Sequence, residues 1–161
     1  MKIKMNTETK THKITVINLT IRPPRSSRVL LGGYAILPRL LDKARADIAG
    51  VIGEYHTNCT IDKEFLTFVD VDYESLRSQL EEGKGDGEIL EWIERNARKP
   101  RSPWEIQQWS EYQSHRAPST FTDLEDYFRE VLKDLNPLRC DVKSWAGLLD
   151  LDDYCSFGGI A

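Results

Sequence analysis

A chain of 161 residues that is 40% apolar and 30% charged, with a net charge of −4, has the composition of an ordinary globular protein, and a chain of this size buries roughly 70% of its unfolded surface on folding. No stretch approaches the roughly 20 apolar residues of a membrane helix, and no hydrophobic signal core follows Met1. Three widely separated cysteines, Cys59, Cys140 and Cys155, suit reduced thiols better than a disulfide framework or a zinc site, so the expected location is the cytoplasm and the disordered, membrane and disulfide-scaffold classes are excluded.

Residues 1–12 read as a mobile arm, and residues 13–161 as a single domain. The β-branched run from Lys13 to Ile21 leaves room for one short N-terminal strand. Pro23-Pro24 then imposes an extended path that carries Arg22, Arg25 and Arg28, and Gly32-Gly33 ends it by permitting backbone angles that other residues avoid. From Pro38 the period becomes helical, with Leu41, Ala44, Ile48 and Val51 on one face until Gly53. A short helix over 63–69 follows. Asp72 is placed to cap a helix carrying Tyr73, Leu76 and Leu80, with Gly83 just past its end.

Asp86 is then expected to cap a helix bearing Ile89, Ile93 and Ala97. Ser102-Pro-Trp-Glu105 is a capping box with proline in the first helical position, and Thr122-Asp-Leu-Glu125 repeats that logic before the amphipathic set Leu124, Phe128, Val131 and Leu135. Asp141 is expected to cap a last helix with Val142, Trp145 and Leu149. The pattern predicts a mainly α protein: a single irregular helical domain of six or seven helices, without internal repeats.

Charge is unevenly distributed. Residues 22–45 hold six Arg/Lys against Asp42 alone, whereas residues 62–94 hold eleven Asp/Glu against Lys63, Arg77 and Lys84. Neutralisation of one segment by the other, within the fold or across a dimer, is the simplest consequence. The acidic middle and the short basic runs weigh against a nucleic-acid partner.

Two constellations bear on function. Arginines three apart on a Pro/Ser-rich segment suit bidentate pairing with a carboxylate or phosphate, which makes Arg25, Arg28, Gly32, Gly33, Tyr34 and His56 the candidate ligand-binding set. The tail brings Asp150, Asp152 and Asp153 together, a carboxylate cluster suited to a hard cation or to a general base, and equally to docking against the basic segment. Cys59 with His56 offers a thiol beside an imidazole, although a buried cysteine is the plainer reading. Lys84-Gly-Asp-Gly-Glu88 lacks the Lys-Ser/Thr of a phosphate loop, and Trp92, Trp104, Trp109 and Trp145 fall on helices, as core or as a partner-facing patch. No pattern names a cofactor.

Arg22-Pro-Pro-Arg25-Ser, Leu31-Gly-Gly-Tyr34, Gly53-Glu-Tyr-His56, Gly85-Asp-Gly-Glu-Ile-Leu90, Ser102-Pro-Trp-Glu105 and Leu149-Asp-Leu-Asp-Asp-Tyr154 with Ser156-Phe-Gly-Gly159 together resemble a family of small bacterial proteins of uncharacterised function, over about residues 20–160. The resemblance implies no activity and transfers no catalytic residue. The leading expectation is a helical module that binds a partner protein or a small anionic ligand. One rival is an enzyme using His56 or a tyrosine with Asp150, Asp152 and Asp153 for acid/base or metal-assisted chemistry. Another is a homodimer joined through exposed aromatics.

Overall fold

The computed structural model describes residues 16–118 and 124–161. Among these residues there are seven helices: α1 (Leu37–Ile48), α2 (Thr60–Val69), α3 (Tyr73–Glu81), α4 (Asp86–Asn96), α5 (Pro103–His115), α6 (Leu124–Leu135) and α7 (Trp145–Ser156). Among the described residues there is no strand, only an isolated bridge between Leu31 and Tyr34, and no helix is long and apolar enough to cross a membrane. Of the expected strand, residues 16–21 are irregular and tied down by Leu19, whose N–H donates to Val51 O at 2.9 Å. The arm over 1–12 and the first residues of the Thr122 capping box lie outside the described residues.

Helix boundaries follow local chemistry where a cap is present. Asp72 accepts from Ser75 N at 2.9 Å, and Gly83 takes a φ of 84° just past α3. Ser102 and Glu105 close the reciprocal box that starts α5, with Ser102 N donating to Glu105 Oε2 at 2.9 Å and Glu105 N to Ser102 Oγ at 3.3 Å. Two expected caps are corrected. Gly85 precedes α4 and Asp86 is its first residue, its carboxylate turned to arginines. Ser144, not Asp141, caps α7, accepting from Gly147 N at 3.1 Å, while Asp141 pairs with Arg139 and Val142 lies outside the helix.

The core gathers around α1, which packs on α2 and α3, with α3 on α4 and α7 against α5 and α6. Leu37, Leu40, Leu41 and Ala44 meet Phe65, Val69, Leu76, Ile89 and Ile93, and Ile106 and Trp109 of α5 close the cluster. A second apolar group forms where Phe128 meets Trp145 edge-on at 5.2 Å, beside Tyr127. The periodic set Leu41, Ala44, Ile48 and Val51 predicts a one-sided helix, yet α1 is buried almost all round. Arg39, Asp42 and Lys43 are 5%, 4% and 4% exposed. Such burial requires partners, since an unpaired buried charge is costly.

Those partners come from distant parts of the chain. Asp42 accepts from Arg25, Arg39 pairs with Asp153 and Lys43 with Asp62. Arg45 reaches Asp86, and Asp47 accepts from Arg77. The basic segment therefore meets the acidic one at two residues, Asp62 through Lys43 and Asp86 through Arg25 and Arg45, while Arg39 turns to the tail.

Candidate functional site

Leu31 and Tyr34 exchange backbone hydrogen bonds at 3.1 and 3.0 Å across Gly32 and Gly33, whose φ angles are 59° and 84°. Two successive left-handed residues are what the tightest hairpin turns demand, and glycine supplies them without a steric penalty. Close packing is the second reason. A Cβ on Gly32 would stand 2.5 Å from Leu90 Cδ1, and one on Gly33 3.2 Å from Ile106 Cγ2. Ser110 of α5 grips the turn, donating to Gly33 O at 2.7 Å and accepting from Ala35 N at 3.0 Å.

Behind this turn, between the end of α4 and the start of α5, lies a cavity of about 750 Å³. Leu30, Ile93, Ala97, Pro103 and Ile106 make its walls mainly apolar. Arg28, Glu94, Arg101, Gln107, Ser114 and His115 supply the polar groups. Tyr34 forms part of the wall at 5% exposure, and burial, with Glu94 nearby, pushes its phenol above the usual value. Arg28 stands at the margin. Its Nη1 donates to Asp150 at 2.6 Å, its Nη2 to Ser144 Oγ at 3.1 Å and its Nε to Ser114 O at 3.4 Å. Its side chain remains 42% exposed, and it also lines a second, more polar cavity of about 410 Å³ at the start of α7.

Four of the six residues singled out as a ligand-binding set, Arg28, Gly32, Gly33 and Tyr34, therefore line one cavity. Arg25 does not. Its Nε and Nη2 donate to the two oxygens of Asp42 at 2.9 and 2.7 Å, and its Nη1 to Asp86 at 2.6 Å. The Asp42 bond leads the effects that hold the Arg25 guanidinium firmly charged against its burial. In Asp86, burial alone would raise the pKa, but Arg25 and Arg45 outweigh it and hold the carboxyl below its usual range. His56 does not line the cavity either. Its side chain is exposed, and its carbonyl accepts from Lys43 Nζ at 3.0 Å.

The tail aspartates separate by role. Asp150 faces Arg28. Asp153, 6% exposed, takes both Nη groups of Arg39 at 2.6 and 3.1 Å and the Tyr55 hydroxyl at 2.7 Å. Burial of Arg39 disfavours its charge, but Asp153 more than compensates and its pKa rises. Tyr55 is pushed above the ordinary phenol range by burial and then by Asp153, and Asp152 is raised by burial and by Asp153. Among the described residues no group of three or more His, Cys, Asp or Glu side chains is placed to hold a metal ion. The residue that joins the 53–56 loop to the tail is Tyr55, and the His56 side chain makes no hydrogen bond to these aspartates.

Three buried charged residues, Arg39, Lys43 and Asp62, escape sequence reasoning. Arg39 and Lys43 sit on what periodicity marks as the solvent face of α1, and nothing local shows that α7 and α2 cover it. Asp62 lies one residue before the expected start of a helix that in fact begins at Thr60. Ser110 is equally hidden, as a lone hydroxyl between two aromatic residues of the helix pattern.

A family model described as Domain of unknown function (DUF5069) matches residues 21–155 of the chain. No curated protein matches it.

Proposed function

We propose, given that the chain belongs to the DUF5069 family, whose function is unknown, that it is a cytoplasmic binding module whose ligand occupies the cavity behind the Gly32-Gly33-Tyr34 turn. The observation that carries this reading is the coincidence of the Leu31-Gly-Gly-Tyr34 motif with a mainly apolar cavity of about 750 Å³. That volume lies within the roughly 300–1,000 Å³ of small-molecule sites, which combine apolar walls with a few polar groups. Arg28 supplies the polar end. Its exposed ion pair with Asp150 is of the kind worth about 0–1 kcal/mol, so a ligand carboxylate or phosphate can take the place of Asp150 at little cost. The fitting ligand has an apolar body and one acidic group.

A thermal-shift screen of carboxylated and phosphorylated metabolites with apolar moieties tests this, because a ligand that binds the folded state raises its apparent stability. Hits on the native protein should disappear in Arg28→Met for acidic ligands, and in Ala97→Phe, which fills the cavity, for all of them. Hits that survive both substitutions, or no hit in the whole class, sink the proposal. A second reading is favoured by Trp104 and Tyr112, which stand 68% and 62% exposed on α5: a partner protein, or a second copy of the chain, covers this helix. Molar mass by light scattering distinguishes the self-associating form.

A further inference from the structure

Lys43 Nζ is almost fully enclosed and donates to three acceptors: His56 O at 3.0 Å, Asp62 Oδ2 at 2.8 Å and Cys59 Sγ at 3.3 Å. Its plain role is to staple the 56–59 loop to α1 and α2. Two further observations give the cluster chemistry. Cys59 is only half-buried and lines a cavity of about 300 Å³ together with Glu64, Trp145 and Asp152, ample for a molecule the size of hydrogen peroxide. In addition, Asp62 Oδ1 is buried without any hydrogen-bond partner on a residue that is 1% exposed. The other oxygen of the same carboxylate is bonded to Lys43 Nζ and lies 3.4 Å from the Cys59 N–H.

We propose that Cys59 and Lys43 form an oxidative modification site, at which hydrogen peroxide converts the pair into a sulfenamide cross-link between Sγ and Nζ. In the first step the peroxide O–O bond breaks, an S–O bond forms, and the thiol proton leaves with the second oxygen as water. Sulfur is oxidised by two electrons and peroxide reduced by two. Sulfenic acids condense with nitrogen nucleophiles in this way. In the second step Lys43 passes one proton along its hydrogen bond to Asp62 Oδ2, 2.8 Å away, and the neutral amine attacks sulfur. The S–N bond forms, the S–O bond breaks, and the departing hydroxide takes a second proton from nitrogen as water. The reacting atoms stand 3.3 Å apart, within the roughly 3–3.5 Å of a near-attack arrangement. The step removes both charges of the buried Lys43–Asp62 pair together and leaves no orphaned ion, which would otherwise be the main barrier.

Peptide mapping of the native protein after limited hydrogen peroxide and thiol alkylation tests this. The expected product joins the Lys43 and Cys59 peptides with the loss of two hydrogen atoms, resists trypsin after Lys43, and is released by dithiothreitol. Cys140, which is exposed, reports that oxidant was delivered. Recovery of Cys59 as alkylated thiol, or as sulfinic acid with Lys43 unmodified, while Cys140 is oxidised, overturns the proposal. So does persistence of the two-hydrogen loss at Cys59 in Lys43→Arg, which would place the bond on a backbone nitrogen. In that variant the expected result is a sulfinic acid in place of the link.

Discussion

At the residue scale Arg25 and Arg39 hold the fold, whereas Arg28 is available to a ligand. Arg39 and Asp153 are 5% and 6% exposed, so removing one leaves the other buried and uncompensated. Arg39→Met should lower unfolding free energy by about 3 kcal/mol in urea, whereas Arg39→Met with Asp153→Leu should recover most of that loss, because a buried ion pair can be replaced by apolar packing but not halved. Arg28→Met should cost no more than about 1 kcal/mol, as its pair is exposed. Spacing in the sequence marks all three arginines of the 22–28 segment as anion-seeking and leaves their partners open. Arg25 meets acids 17 and 61 residues away and Arg28 one 122 residues away, beyond the reach of any local pattern. The binding reading of Arg25 and the structural role it occupies use the same chemistry, which is why residue type could not separate them.

At the scale of elements, what is decided within four residues was legible and what is decided by tertiary cover was not. The Ser102–Glu105 box is self-contained. Ser102→Ala should cost about 1 kcal/mol, measured by chemical denaturation, with the helix content of the folded state unchanged. Asp86 misled because the cap falls one residue earlier, at Gly85, and the aspartate's carboxylate is engaged by Arg25 and Arg45, and Asp141 because Arg139 two residues away engages it. In α1 the apolar stripe is real, but its polar stripe is buried as well, so amphipathicity gave the element and hid its position at the centre. The Gly32-Gly33 turn was legible as a turn, and the reason for glycine is partly tertiary. Gly32→Ala should destabilise by about 1–2 kcal/mol through its left-handed φ and its clash with Leu90. Adding Leu90→Ala should relieve the clash and leave the backbone strain, so the second substitution costs less in the Gly32→Ala background than alone; equal cost in both would show that the contact is not felt.

For the whole molecule, the carboxylates set the pH response. Asp86 is held below the ordinary aspartate value of 3.8 by Arg25 and Arg45. A carboxyl depressed in the folded state contributes stability that is complete above its unfolded value and lost as pH falls through its folded value. Unfolding free energy should therefore decline below about pH 4, and Asp86→Asn should lower it at neutral pH while flattening the acid limb. Asp152 is exposed as a residue, but partial desolvation of its carboxyl and the neighbouring Asp153 raise it, so its contribution is small and has the opposite sign, complete below its unfolded value and lost as pH rises through its folded one. Asp152→Asn should accordingly raise stability at neutral pH. The helical class and most of the helices were written in periodicity and caps, and three cavity residues, Gly32, Gly33 and Tyr34, in one glycine-marked motif. The walls from α4 and α5 were not, because they are assembled by packing. Arg39 also has a consequence in time. Its partner lies 114 residues later, and chains emerge from the ribosome at about 5–20 residues per second, so for some seconds the helix at the heart of the protein carries a charge with no acid to receive it. The N-terminal helices can gather during synthesis, but the native centre closes only after translation has delivered α7.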